Sequence, residues 1–258
     1  MRRDHMGEIA DYAIERALAS EHDLAYFEAS HMILPRRAHM TVATAKSAAP
    51  RILREACMLE TLRHPGVPRI YDCGTVADGL PWVARELVVG KRYPTQLKTR
   101  ELAELLHSVA TILAHAHSRG VIHGDVWLDA IVKDDCVRLL HWHHARRGAP
   151  EEGAGDVYAL GLAAHAVVSA PPPRIVHLVT EMLAPDPRAR PTAAQVAAEA
   201  GRLLEEPDYD NVEEVALTVD LSRQPPMPPP PRPPRQPRLG SHSELNSGGV
   251  PIASLKLR

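Results

Sequence analysis

The stretch from Gly120 to His144, GVIHGDVWLDAIVKDDCVRLLHWHH, concentrates carboxylates and imidazoles at short spacing. These are the side chains that move protons or hold metal ions. Its end, HWHH, carries histidines at 141, 143 and 144. Alternate residues of a strand share a face, so His141 and His143 could both ligate a transition metal. The preferred reading packs Trp142 inward and leaves the histidines at the rim, and no metal is assigned.

Long apolar elements must position such a stretch. Leu102, Leu105, Leu106, Val109, Ile112, Leu113 and Ala116 recur at helical spacing and predict a core helix from Thr99 to Arg119, stopped by Gly120. Before it, YAIERAL, LAYFEA and HMTVATA read as strands. PRILREACMLETLRH reads as a helix with Ile52, Ala56 and Leu59 on one face and Pro50 in its first turn. RIYDCGTVADGLPWVARELVV reads as two strands joined by a turn at Ala77 to Gly79. After Gly120 the ordered part is mainly helical, with segments near 156–169, 174–184 and 192–204. The expected class is therefore α+β, a small β-rich lobe over residues 10–89 followed by a mainly helical lobe over 90–204. Residues 205–258 are first acidic and then rich in proline and arginine. In particular QPPMPPPPRPPRQPR, 224–238, cannot pack as helix or sheet and predicts an extended, disordered tail.

The 258 residues are 45% hydrophobic with a formal net charge of −2. Such a chain can bury a core, and its bulk electrostatics point to neither nucleic acid nor an anionic membrane. Cys57, Cys73 and Cys136 show no metal or redox spacing and read as buried small hydrophobes in a reducing compartment. The first residues lack a signal peptide's apolar stretch, and the longest apolar candidate, Val157 to Ala170, is too short to span a bilayer. A cytoplasmic location without membrane contact is expected.

Several motifs in order resemble the bacterial Ser/Thr protein kinases over roughly residues 12–204. HPGVPRIYDCG is similar to the family's strand after the αC helix, PWVARELVVG to its hinge, VIHGDVWLDAIV to its catalytic loop, APEEGAGDVYALG to the end of its activation segment running into αF, and MLAPDPRARPTAAQV to its C-terminal arginine motif. The resemblance implies a two-lobed kinase-like fold with one αC helix in the N-lobe. It also assigns roles. Glu151 and Arg190 would form a buried ion pair, Asp156 would hold the catalytic-loop backbone, and His123 would frame that loop. Trp142 would pack where the family has phenylalanine. Glu55 would be the αC glutamate with Lys46 as its partner on the third strand, Glu86 and Val88 would lie in the hinge, and Asp125 would be the retained catalytic aspartate.

The family's phosphate-handling residues are replaced. The glycine-rich loop corresponds to ASEHDL, with Ala19, Glu21 and Leu24 at the glycine positions. Trp127 stands for the lysine that neutralises the γ-phosphate, Ala130 for one metal-binding residue and His141 for the metal-binding aspartate. Arg85 stands at the gatekeeper position, where it could pair with Glu55 and fill the adenine pocket. Gly124 removes the arginine that would read a phosphate, and His141 to Glu151 contains no Ser, Thr or Tyr. Only SAPPPR follows αF, so the family's αG helix is expected to be missing.

These readings imply a pseudokinase that scaffolds or regulates by binding a protein, with no cofactor assigned. The alternatives are an atypical active kinase using ATP and Mg²⁺ through Lys46, Glu55 and Asp125, and an ATP sensor without turnover. The tail 224–238 is a spacer or a proline-rich ligand for an aromatic groove.

Overall fold

A computed structural model describes residues 6–167 and 171–205. The tail expected over 205–258, with its proline tract, lies outside them apart from Glu205. The N-terminal half forms a six-stranded antiparallel sheet in the order β1-β2-β3-β4-β6-β5. Its strands are β1 (Glu8–Ile9), β2 (Tyr12–Glu21), β3 (Leu24–His31), β4 (Arg37–Ala43), β5 (Ile70–Thr75) and β6 (Pro81–Glu86). Helix α1 (Ala49–Thr61) sits between β4 and β5. The two-residue alternation of the strands sorts the side chains. Ala38, Met40 and Val42 of β4 join Tyr12, Ile14, Phe27 and Trp82 in one apolar cluster, whereas Ala43 joins Ile52, Ala56 and Val83 under α1.

The second half is built on α2 (Thr99–Ser118), with β7 (Lys91–Arg92), β8 (Val121–Ile122), β9 (Ile131–Lys133), β10 (Val137–Leu139) and β11 (Arg146–Arg147) as short ladders beside it. It is completed by α3 (Ala154–Val167), α4 (Pro173–Met182) and α5 (Ala193–Glu205). All seven apolar positions that predicted α2 are buried. Each contributes about 1.5–3 kcal/mol where a large side chain leaves water, so this helix organises the lobe. Glu101 accepts the Lys98 N–H at 3.0 Å and closes its first turn. Five residues, 168–172, separate α3 from α4 in the sequence.

Helix α1 belongs to both halves. Its start is tied to the β2–β3 turn, where Ser47 donates to Asp23 at 2.7 Å and Arg51 reaches the His22 carbonyl at 3.5 Å. Its middle packs on the sheet through Ile52 and Ala56, and its end buries Met58 and Leu59 in the core of the helical half.

The cysteine expectation is corrected. Cys57 and Cys73 are exposed and Cys136 is partly so. Cys57 follows Ala56 by a single residue, about 100° around the helix, which takes it off the apolar stripe. Cys73 lies on β5, an edge strand. Among the described residues no helix is long and apolar enough to cross a membrane.

Candidate functional site in the interlobe cleft

The cleft's roof begins at the β2–β3 hairpin. ASEHDL does not form a loop. Ala19, Ser20 and Glu21 pair with Tyr26, Ala25 and Leu24, and the chain reverses in two residues, His22 and Asp23, at φ 48° and 63°. Two successive positive φ values are the signature of a tight hairpin turn whose twist suits the flanking strands. Strand pairing thus runs up to the two turn residues, with no glycine among them.

Lys46 is not on the third long strand. Strand β4 ends at Ala43, and Lys46 stands exposed in a short 3₁₀ turn leading into α1. The expected Lys46–Glu55 pair is therefore not formed. The Glu55 carboxylate instead pairs with the Arg85 guanidinium of β6. Thr41, buried on β4, faces the same small space. The cavity left among Thr41, Ile52, Val83 and the Glu55–Arg85 pair is about 10 Å³, room for no more than one water. His39 lies directly opposite Arg85 in the β4–β6 register. Burial, with the Arg85 guanidinium second to it, holds the His39 imidazole well below its usual pKa. A neutral ring thus lies opposite a paired guanidinium in the sheet.

Beyond Glu86, the last residue of β6, the chain leaves the sheet. Glu86 accepts the Arg69 N–H at 3.2 Å and pairs with Arg138 at 2.5 Å, so its side chain is committed to neighbouring elements, and Val88 follows in the connection to β7.

The floor is the segment from His123 to Ala130. Asp156, 2% exposed at the start of α3, accepts the His123 and Gly124 N–H groups at 2.9 and 2.8 Å and lies 2.8 Å from His117 Nε2. Burial pushes the Asp156 carboxyl up, but these hydrogen bonds outweigh it and the net pKa is lowered. His123 Nε2 is 2.9 Å from the Leu140 carbonyl, so it carries the proton, and Nδ1 accepts the Asp125 N–H at 3.2 Å. Gly124 has φ 77°, and a Cβ there would stand 3.2 Å from the His144 carbonyl. Only glycine fits that turn without strain.

Asp125 is largely buried, with its side chain 12% exposed, and Oδ2 has no hydrogen-bond partner. Burial raises its carboxyl pKa, against the lowering pull of His144 and His123. Trp127 lies against His141, ring centroids 5.6 Å apart, with its indole N–H buried and unpartnered. Ala130 is fully buried.

HWHH is not a strand. His141 has φ 62°, and residues 142–144 form a 3₁₀ turn. Trp142 is fully buried, donates its indole N–H to the Leu139 carbonyl at 2.8 Å and meets His123 edge-on. The alternating-face pair His141 and His143 is replaced by a different grouping, because the turn brings His143 and His144 to Asp125. Burial, with cationic neighbours, holds His141 at about 4 and His143 at about 3, so both are neutral at pH 7.

A further expectation fails at the lobe's far side. Glu151 is exposed in the 3₁₀ turn Pro150–Gly153, and Arg190 does not pair with it. The Arg190 guanidinium stacks over Tyr158 at 4.4 Å and donates to the Ala184 and Ala154 carbonyls at 2.7 and 3.1 Å. The tie to the start of α3 runs through a backbone carbonyl. The segment's own ion pair is Arg146 with Glu152 at 2.5 Å.

No protein-family model matches the chain. Over 130 residues it is 32% identical to the serine/threonine-protein kinase PknF of Mycobacterium tuberculosis, covering 45% of this chain and 27% of that protein. Over 147 residues it is 31% identical to PknI of the same organism, covering 47% and 25%. Over 164 residues it is 29% identical to the DNA damage-responsive serine/threonine-protein kinase RqkA of Deinococcus radiodurans, covering 50% and 25%. The matches span about a quarter of those proteins. The solved kinase domain of Mycobacterium tuberculosis PknI superposes with a TM-score of 0.60 at 22% identity, over 78% of this chain and 99% of that one. The chain's relatives are bacterial Ser/Thr protein kinases, and its fold is that of their kinase domain.

Proposed function

We propose that this kinase-fold protein is a pseudokinase, one that binds a protein partner and transfers no phosphate. The observation that carries this reading is the Glu55–Arg85 pair. The helix glutamate that a nucleotide-binding lysine would need is committed to the Arg85 guanidinium, which lies opposite His39 in the sheet register. Magnesium and ATP do not fit the residues present. Mg²⁺ is a hard ion that takes oxygen ligands, and here Ala130 offers no donor atom while His141 offers a nitrogen. Trp127 brings no charge to a γ-phosphate, and the hairpin tip carries the acidic Glu21 and Asp23 in place of glycines. Each lost source of charge stabilisation costs on the order of 10²–10³-fold in phosphoryl transfer. The active-kinase alternative loses support with Lys46, which stands past the strand and away from Glu55.

A protein partner is favoured by the β3–β4 turn, where Met32, Ile33 and Leu34 are exposed in succession, Ile33 by 84%.

The test is a thermal-shift titration with ATP, with and without Mg²⁺ or Mn²⁺, run beside an assay with labelled ATP and a generic substrate. The expected result is no shift and no transfer. A shift without transfer would replace the reading with a nucleotide sensor, and transfer abolished by Asp125→Ala would establish an active kinase.

A further inference from the structure

Three groups from two elements converge where the catalytic loop meets the following turn. Asp125 Oδ2 comes from the loop that Asp156 holds, and His143 and His144 come from the turn anchored by Trp142. One ligand atom from each lies within 4.8 Å of the other two. His143 Nε2 stands 3.8 Å from Asp125 Oδ2, too long for a hydrogen bond, and the centroids of the two imidazole rings are 4.3 Å apart. The carboxylate oxygen is buried with no donor. A buried acceptor left in this way is uncommon, and a bound ion is one way to satisfy it.

We propose that Asp125, His143 and His144 bind one divalent transition-metal ion of the zinc class. Two imidazoles and one carboxylate suit Zn²⁺, Co²⁺ or Fe²⁺ and disfavour Mg²⁺. Zinc ligands at ~2.0–2.2 Å in tetrahedral array lie ~3.3 Å from one another. Reaching that span from the present separation requires a small inward rotation, for which exposed His144 has the freedom. Gly124 contributes by having no side chain where the His144 backbone approaches. The fourth position remains for water or for a ligand from a partner. The ion would join the loop to the turn and complete the Asp125 carboxylate. The site is independent of the scaffold reading, since it needs no nucleotide.

The test uses the full chain, stripped with chelator, in a Co²⁺ titration followed by visible absorption and in competition between Zn²⁺ and a chromophoric chelator. One equivalent of Co²⁺ is expected with ligand-field bands, displaced by Zn²⁺ and unaffected by millimolar Mg²⁺. Asp125→Asn and His144→Ala should each weaken binding at least about tenfold. His177→Ala, on the exposed face of α4, should leave it unchanged. His144 is exposed, so its variant keeps the fold, which far-UV circular dichroism checks. Failure to bind one equivalent more tightly than about 10 µM, or binding that survives the Asp125→Asn, His144→Ala double change, overturns the site. Neither result bears on whether ATP shifts the melting temperature.

Discussion

Arg85 and Glu55 come from elements thirty residues apart in sequence, and their side chains are 18% and 11% exposed. A pair this buried is weak evidence for net stability, because both ends were desolvated to make it. Its importance shows when one end is removed. Arg85→Met strands the Glu55 carboxylate and is expected to cost about 2–3 kcal/mol, below the range for full burial because some solvent reaches both ends. Adding Glu55→Gln should return part of that loss, so the double variant is less destabilised than the sum of the single ones. Urea denaturation of all four proteins measures the coupling, and additive losses would mean that the pair does not act as a unit. The sequence indicated Arg85 as a candidate for this role because it stands where a medium apolar residue is expected. It could not indicate Lys46 correctly, since counting back from Glu55 cannot reveal that β4 ends at Ala43 and that a 3₁₀ turn intervenes.

At the scale of elements, the catalytic-loop backbone is positioned by a relay from one helix to another. His117 near the end of α2 touches Asp156 on α3, and Asp156 holds His123 and Gly124. Gly153 is packed against this relay, and a Cβ there would stand 2.4 Å from the His117 ring. Gly153→Ala is thus expected to displace His117 and to destabilise by about 1–3 kcal/mol, the range for overpacking a close-packed site. Slower-exchanging amides at 123–124 becoming faster in hydrogen exchange would locate the damage, while an unchanged denaturation midpoint would count against the relay. Helix α2 was the most legible because its apolar residues repeat over about four turns. The grouping at Asp125 was legible only in part. Histidines at 141, 143 and 144 signalled a donor-rich turn, but a strand period selects His141 with His143, whereas the left-handed backbone at His141 changes which rings face the loop. Cys57 and Cys73 were misread for a related reason, since residue type alone does not tell which side of a helix or edge strand is wet.

For the whole molecule, neutral histidines inside the fold set an acid limit on stability. His39 is held well below its ordinary 6.5 and His141 at about 4, in each case first by burial. Between about pH 6.5 and 4 the unfolded chain therefore binds protons that the native one refuses, so stability falls as pH falls through that window. Asp156 acts in the same direction lower down, because its depressed carboxyl contributes stability that is lost on protonation. Urea midpoints measured with chelator present should decline from pH 7 to pH 4.5, and His39→Phe should flatten the slope. A slope unchanged by that substitution would place the titrating groups elsewhere. Helix α1 is tied to the hairpin at its start, to the sheet at its middle and to the helical core at its end. A helix held at three places acts as a strut between the two halves, so loosening any one of its ties should slacken the other two.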